Sequence, residues 1–181
     1  MDDVTGVYCD TDAAFSETLR KSLRGTAVNI SLLTTRDPEG RYHGLAVTTA
    51  VPFSSHLPSM IVAVSHAASA YPAIRDSQMY CLNQITSKDI ELLDKFSRSD
   101  LRASRFTNGT WRAGLGGLPY LATATASFFC SVATAQSYED QTVFIGRIDG
   151  VRLADGSGAG ECDPLIWING GPAKLAGRAY A

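Results

Sequence analysis

The sequence predicts a mainly β protein whose strands close into a barrel, with a few helices at the periphery. About six or seven segments rich in β-branched and apolar residues are separated by turn signals. Strand and helix patterns do not alternate over most of the chain, which argues against a doubly wound sheet. Closure into a barrel removes the exposed edges that so many short strands would otherwise leave.

The first element is a predicted helix that ends near Arg24, because an apolar residue recurs at every fourth position from Phe15. Asp10 or Thr11 is the expected N-cap. Gly25 follows where a helix C-terminus favours a residue that tolerates positive φ.

Strands are predicted next, over 27–35 and 42–51. The Asp-Pro-Glu-Gly sequence at 37–40 between them favours a type I turn, so the pair is expected to form a hairpin. A continuous apolar run at 60–65 predicts a strand buried on both faces, and 79–83 predicts one more.

Two helices are predicted in the middle of the chain. Ser69 is the expected N-cap of a short helix that has Pro72 in its first turn. The sequence at 86–89 resembles a capping box before a helix with one apolar face.

The last part of the chain returns to strand patterns. Residues 98–112 predict a loop with a helical turn, and long strands are predicted at 121–135 and 142–153. Gly146 inside the second strand indicates a bulge or a close backbone approach. A final short strand is predicted at 165–169.

Composition restricts the class of protein. The chain has 181 residues, 45% apolar and 19% charged, as expected for one globular domain over 1–181. A net charge of −2 leaves no basic surface for a nucleic-acid partner. No apolar run reaches the roughly 18–20 residues that cross a bilayer, and the acidic N-terminus lacks the layout of a secretion signal. We therefore expect a cytoplasmic protein without membrane contact.

Cysteine and histidine spacing predicts no metal site. The four cysteines occur singly, without a CxxC pair, and are expected to be small buried residues: Cys9, Cys81, Cys130 and Cys162. The three histidines form no compact ligand set.

Common enzyme motifs are also missing from the sequence. It contains no G-x-S-x-G and no P-loop, and no G-x-G-x-x-G that opens a helix after a strand. The glycines at 114–117 run into Leu-Pro-Tyr, which cannot begin a phosphate-binding helix. A Rossmann nucleotide site is disfavoured.

Neutral hydroxyl groups cluster near predicted strand ends: Thr34, Thr35, Thr48, Thr49, Ser65 and Ser69. Each alone is compatible with an ordinary sheet threonine or helix cap. Together with backbone N–H groups, they could hold both ends of a flavin without a charged anchor. A helix N-terminus at Ser69 would add partial positive charge for the flavin phosphate.

An ordered series of segments resembles flavin reductase-like domains. The segment 44–51, G-L-A-V-T-T-A-V, resembles their flavin-contacting segment, typically G-x-T-x-S/N-S/A. Ahead of it, 33–40 matches the opening V-T-x-x-D-x-x-G. Behind it, 65–69 resembles the loop around the flavin tail, and 81–83 is similar to the V-N-x-L strand. Further pieces follow in family order, so the resemblance covers about 13–175.

The resemblance implies an FMN-binding split β-barrel of Greek-key type, usually a homodimer with flavin near the subunit interface. It implies that the isoalloxazine lies against 47–51 and the ribityl phosphate against 65–69. Arg105 is a weaker candidate for the phosphate, and Asn83 would lie behind the site. The implied cofactor-binding residues are Thr34, Val47, Thr48, Thr49, Ala50, Val51, Ser65, His66, Ala68, Ser69, Asn83 and Arg105.

Three positions depart from the family pattern. Ala46 replaces a usual threonine, and Gln141 stands where the G-D-H-x-x-F-x-G motif has a histidine near the nicotinamide. Glutamine forms hydrogen bonds but cannot become cationic. Pro172 occupies a position where an aromatic residue often follows Gly170, so stacking near the nicotinamide is expected to be lost.

The resemblance implies an NAD(P)H:flavin oxidoreductase that reduces non-covalently bound FMN or FAD and supplies reduced flavin to a partner monooxygenase. FMN and FAD, and NADH and NADPH, are all compatible with the sequence. Two other interpretations remain open. One is a flavin-binding electron-transfer or carrier protein without efficient NAD(P)H turnover, which Gln141 and Pro172 favour. The other is a cofactor-free barrel that binds small molecules or a partner.

Overall fold

A computed structural model describes residues 13–107, 110–154 and 163–174 of the chain. Its helices are α1 (Ala13–Arg24), α2 (Tyr71–Ser77) and α3 (Ile90–Ser97). Its strands are β1 (Val28–Asn29), β2 (Ser31–Arg36), β3 (Tyr42–Val47), β4 (Val51–Ser54), β5 (Ser59–Ser65), β6 (Met79–Gln84), β7 (Trp111–Ala113), β8 (Pro119–Leu121), β9 (Ala126–Tyr138), β10 (Gln141–Leu153), β11 (Ile166–Ile168) and β12 (Gly171–Ala173). Short 3₁₀ turns occupy Ser87–Asp89, Arg102–Ser104 and Leu115–Gly117.

The main sheet has seven antiparallel strands in the order β3-β2-β6-β9-β10-β5-β4. Its two edge strands, β3 and β4, are joined by only residues 48–50, so the sheet must curl until its edges meet. Thr49 holds this junction: its hydroxyl donates to the Ala63 carbonyl at 3.1 Å and accepts from the Ala63 N–H at 3.0 Å. The mainly β barrel predicted from the sequence is confirmed, with its split at this junction.

The predicted strand over 42–51 is in fact two strands. β3 ends at Val47 and pairs with β2, whereas β4 begins at Val51 and pairs with β5. The change of partner requires a bend at 48–50, which no local pattern of hydrophobicity records. The predicted strand over 121–135 likewise begins later, at Ala126, because Leu121 belongs to β8 and pairs with Trp111.

The hairpin turn at Asp37 to Gly40 is confirmed. The Gly40 N–H donates to the Asp37 carbonyl at 3.0 Å, and Gly40 has φ +88°. The Asp37 carboxylate accepts from the Arg41 N–H and Nε, both at 2.7 Å, and lies 2.9 Å from His43 Nε2. Burial by itself would raise the pKa of Asp37, but the hydrogen bonds from His43 and Arg41 outweigh it and hold that pKa well below its ordinary value.

The core has two main clusters, one on each face of the curled sheet. Tyr80, Phe144 and Ile74 are fully buried inside the barrel, and Phe96 and Trp111 pack in the second cluster beneath α3. The predicted irregularity at Gly146 is confirmed, since the β9–β10 register shifts between residues 145 and 146. A Cβ at Gly146 would lie 2.6 Å from Cζ of the Tyr80 ring, so only glycine fits there.

Helix ends differ in part from expectation. α1 ends at Arg24 as predicted, but Gly25 does not adopt positive φ, and the expected N-cap residues lie outside the described residues. α2 begins at Tyr71 with Ala70 as N-cap and without a side-chain cap, so the predicted Ser69 cap is wrong. Residues 65–71 form consecutive hydrogen-bonded turns, which delay the helix start.

The capping box at 86–89 is confirmed. The Thr86 hydroxyl accepts from the Lys88 N–H at 3.2 Å, and the Asp89 carboxylate accepts from the Thr86 N–H at 3.0 Å. It begins a 3₁₀ turn that leads directly into α3.

Cys81 and Cys130 are buried and free, as predicted. Burial raises the pKa of both thiols, that of Cys130 to about 12. Cys9 and Cys162 lie outside the described residues. None of the helices described in the structure is long and apolar enough to span a bilayer.

Candidate functional site

Two adjoining cavities form a cleft between the end of β3 and α3. The apolar chamber, of about 530 Å³, is lined by Ile30, Ala46, Thr48, Ile90, Leu93, Asp94, Ser97, Trp167 and Pro172. The cationic chamber, of about 300 Å³, is lined by Leu45, Ala46, Ala67, Ala68, Ser69, Phe96, Ser97, Ser99, Arg102 and Arg105. Ala46 and Ser97 line both, so the two chambers are neighbours.

α3 supplies one wall of the cleft through its helical repeat. Ile90, Leu93 and Ser97 lie at i, i+3 and i+7 and therefore share the face that lines the apolar chamber. Leu92 and Phe96 lie on another face and are buried in the same core cluster as Leu93, and Phe96 also lines the cationic chamber. The sequence predicted the apolar part of this helix, and the same periodicity could have placed Ser97 in the site.

The β11–β12 hairpin supplies the facing wall. Trp167 and Pro172 are paired across these two strands, and both line the apolar chamber. Trp167 therefore gives the chamber an aromatic surface beside Pro172, and sequence reasoning had not assigned Trp167 to the site. Cross-strand pairing places the indole beside the proline that replaces the expected aromatic residue.

Arg105 mainly holds backbone segments together. It is only 5% exposed, and its guanidinium donates to the carbonyls of Lys95 (2.8 Å), Gly44 (2.6 Å) and Arg98 (2.8 Å). Burial lowers the pKa of Arg105, and the neighbouring Arg102 charge lowers it further. Three of its five N–H donors are thus used to fix the chamber wall.

Arg102 carries the accessible charge of the cationic chamber. It is exposed, and its side chain makes no hydrogen bond or ion pair with any residue in the described ranges. Sequence reasoning named Arg105 and missed Arg102. The available signal was their spacing, because residues three apart share a face of a 3₁₀ turn.

The structure brings together the two segments expected to hold the flavin. Ala46, just before the 47–51 segment, lines the cationic chamber together with Ala67, Ala68 and Ser69. Thr48 is exposed and lines the apolar chamber. The hydroxyls of Thr48 and Ser69 have no hydrogen-bond partner among the described residues, so both are available to a ligand.

Two predicted contact residues are buried in the interior of the fold. Thr34 and Asn83 are 0% exposed, and the Thr34 hydroxyl donates to the Pro119 carbonyl. The Asn83 amide donates to Leu32 O at 3.1 Å and Thr34 Oγ1 at 3.2 Å, and its oxygen accepts from the Leu121 N–H at 2.9 Å. Their polar groups are satisfied within the fold, so neither residue faces the cleft.

The remaining predicted residues surround the cleft without lining either chamber. Val47 and Ala50 are buried in the barrel core, and Val51 is 48% exposed at the start of β4. Thr49 uses its hydroxyl on Ala63, as described above. Side-chain contact between these residues and a ligand in the two chambers is therefore not supported.

The end of β5 has its own hydrogen-bond network. The Ser65 hydroxyl accepts from the Ala67 N–H at 3.3 Å, and the His66 ring lies 2.9 Å from Thr142 Oγ1. Gln141 is paired with Ser65 at the start of β10 and does not line either chamber. These residues position the 65–69 turn beside the cleft.

The residues of the cleft fit a flavin. Its chambers have the volume of small-molecule sites, which span about 300–1,000 Å³. Aliphatic and indole side chains suit a flat ring system, whereas free hydroxyls and the Arg102 guanidinium suit a phosphate. Within the described residues, no three His, Cys, Asp or Glu side chains come together as metal ligands. The curled sheet and its two-part cleft have the features expected of a flavin-binding split barrel.

The chain belongs to the flavin reductase-like domain family, whose family model matches residues 23–176. One similar protein is the FMN reductase (NADH) RutF of Stutzerimonas stutzeri, 27% identical over 156 residues, 83% of this chain and 89% of that protein. Another is the reductase component of the FADH(2)-dependent resorcinol hydroxylase of Rhizobium sp., 29% identical over 154 residues, 84% of this chain and 83% of that protein.

Solved structures share the fold. A flavin reductase domain protein from Arthrobacter sp. FB24 superposes with a TM-score of 0.81 at 20% identity, covering 92% of this chain and 99% of that one. The NADH:FAD oxidoreductase SgcE6 of Streptomyces globisporus, in complex with NAD and FAD fragments, gives a TM-score of 0.80 at 15% identity, covering 95% and 99%.

Proposed function

We propose that this chain is an NAD(P)H:flavin oxidoreductase that binds FMN or FAD non-covalently and supplies reduced flavin to a separate monooxygenase. The observation that carries the proposal is the junction of an apolar chamber containing Trp167 with a cationic chamber containing Arg102. Similar proteins named as an FMN reductase (NADH) and as the reductase component of a hydroxylase support it.

The residues of each chamber suit one part of the flavin. Leu93 and Trp167 would hold the ring system, with the Thr48 hydroxyl at its polar edge. Ser69 and Arg102 would hold the phosphate through neutral and charged hydrogen bonds. A bound flavin supplies the chemistry by accepting a hydride from NADH or NADPH.

The chain contributes binding, alignment and exclusion of water. Hydride transfer requires no side chain as an acid or base. Asp94 is the one carboxylate among the residues that line the two chambers, and Arg98 Nη1 lies 3.8 Å from it. Since Arg105 is occupied by backbone carbonyls, Arg102 is the main charged contact, which suits a flavin that must leave after reduction.

The direct test is oxidation of NADH and of NADPH by the purified protein with FMN or FAD. We expect flavin-dependent loss of absorbance at the nicotinamide band, well above the rate with free flavin alone. A protein that binds flavin but oxidises neither nucleotide faster than free flavin would contradict the reductase proposal.

Gln141 favours a second candidate, a flavin carrier or electron-transfer protein. It replaces the histidine of the family motif and lies outside the two chambers. The two candidates differ in the outcome of Gln141→His. If nicotinamide docking is limited by the missing histidine, this substitution raises NADH turnover several-fold, whereas an efficient reductase changes little.

We also propose a homodimeric, single-domain, cytoplasmic protein over 1–181. The outer half of the β9–β10 hairpin is the surface that we propose for the interface, because it is exposed over residues 133–140 and presents the large aromatic side chain of Tyr138, which is 75% exposed. The free, buried thiols of Cys81 and Cys130 are compatible with a reducing compartment. Light scattering on the eluted protein would give a monomer mass if the dimer proposal is wrong.

A further inference from the structure

A third cavity extends the cleft beyond the apolar chamber. This α1 chamber, of about 360 Å³, shares Thr48 and Trp167 with the apolar chamber. The apolar chamber therefore lies between the cationic chamber and the α1 chamber, which reaches the C-terminal end of α1. The first two chambers already account for the ring and the phosphate of a mononucleotide, so the α1 chamber is additional space.

Arg24 in the α1 chamber is held in place by the turn between β11 and β12. The Asn169 N–H donates to the Arg24 carbonyl at 2.7 Å, and a Cβ on Gly170 would lie 3.0 Å from Arg24 Nη2. Asn169 and Gly170 both have positive φ, at 53° and 80°. The missing side chain at Gly170 leaves the space that the guanidinium occupies.

The positive charge of the Arg24 guanidinium also has no partner among the described residues. The guanidinium makes no hydrogen bond or ion pair with the residues that the structure describes. The other arginine of the chamber, Arg20, is paired with Glu17 at 2.7 Å. No carboxylate is among the residues that line the α1 chamber, so Arg24 is its available cation.

An accessible, planar guanidinium with free donors binds phosphate through paired hydrogen bonds. The walls around Arg24 are apolar, formed by Leu23, Val28 and Ile168. A phosphate attached to a sugar and a flat base matches both features, because the base can cover the apolar wall while the phosphate meets the cation.

We propose that Arg24 binds a phosphate of the adenylate half of a dinucleotide, so that the α1 chamber distinguishes dinucleotides from FMN. The inference rests on the proposed function and assigns a specificity-determining residue to the same cleft. The adenylate half can come from FAD or from NAD(P)H, which share this chemistry.

The test is calorimetric titration of the full-length protein with FMN and with FAD, together with the KM for NADH and for NADPH at saturating FMN. We expect Arg24→Ala to weaken one dinucleotide about 10-fold, the size of losing a charged hydrogen bond, while FMN affinity changes less than about 2-fold. Arg24→Lys should recover part of the loss, because it restores charge without the planar fork.

The dinucleotide whose binding is weakened shows whether the adenylate half in the α1 chamber belongs to FAD or to NAD(P)H. Weaker FAD binding assigns the chamber to the flavin adenylate, and a raised KM for NADH or NADPH assigns it to the pyridine nucleotide. Lys21→Ala is the matched control, since Lys21 is a cation on the same helix that does not line the chamber. Unchanged FAD affinity and unchanged KM values in folded Arg24→Ala would overturn the inference. Flavin titration does not depend on turnover, so it tests Arg24 even if the wild-type protein oxidises no NADH.

Discussion

Two regions of the molecule contain the same kinds of polar group and use them in opposite ways. In the interior of the fold, Asn83 and Thr34 are fully buried and hydrogen-bond to each other and to nearby backbone groups. At the cleft, Thr48, Ser97 and Ser99 are exposed, and their hydroxyls have no partner among the described residues. The contrast shows that accessibility and the absence of an internal partner, not residue type, distinguish a binding group from a structural one.

The largest loss of stability is expected from substitution of Asn83. Asn83→Ala should lower the free energy of unfolding by about 2–4 kcal/mol, since each buried group left unpaired costs about 1–3 kcal/mol. Chemical denaturation of this variant and of Thr48→Ala measures the contrast directly. Thr48→Ala should change stability by no more than about 0.5 kcal/mol. Equal losses in the two variants would remove the distinction between the regions.

Arg102→Ala is expected to give the next largest effect. It should raise the Kd for FMN about 10-fold and leave riboflavin, which lacks the phosphate, unaffected. Fluorescence titration measures both. Arg75→Ala is the control, because Arg75 is an exposed arginine on α2 paired with Asp76 and away from the cleft. A comparable loss of riboflavin affinity would show that Arg102 shapes the chamber and does not bind phosphate.

A smaller effect is expected from Trp167. Trp167→Ala should raise the KM for NADH or the Kd for flavin by about 3- to 10-fold, because an aromatic contact contributes about 0.5–1.5 kcal/mol beyond burial. Trp167→Phe should retain most of the affinity. If the phenylalanine and alanine variants are equally impaired, the indole does not act through its aromatic surface.

The smallest effect is expected from Asp37. This buried carboxylate tests whether a polar group with internal partners contributes to stability through its charge. The pKa of Asp37 in the folded state lies below its ordinary value of 3.8. The charged carboxylate therefore stabilises the fold fully at pH values above 3.8, and this contribution is lost as the pH falls toward the folded-state pKa. Asp37→Asn should therefore lower the melting temperature by a few degrees at pH 7. The difference from wild type should narrow below about pH 4. A difference that is independent of pH down to pH 2 would mean that the carboxylate charge contributes nothing.

Local patterns identified the elements that depend on local chemistry. The turn at Asp37 to Gly40, the capping box at Thr86 and the bulge at Gly146 were all predicted, because each depends on a few neighbouring residues. The junction at 48–50 was not, because its bend depends on which distant strand each half pairs with. Ser69 was misassigned as a cap for a related reason: the hydrogen-bonded turns before α2 determine where the helix starts.

By itself, the sequence determined the mainly β class, the family and the segments that approach the cleft. Only the tertiary structure decided which side chains in those segments are available: Thr48 and not Thr34, Arg102 more than Arg105, Trp167 in place of the aromatic residue missing at 172. The physical reason is that segment patterns follow from local backbone preference and hydrophobicity. Accessibility and hydrogen-bond satisfaction depend on how the sheet curls and which distant strands it brings into register.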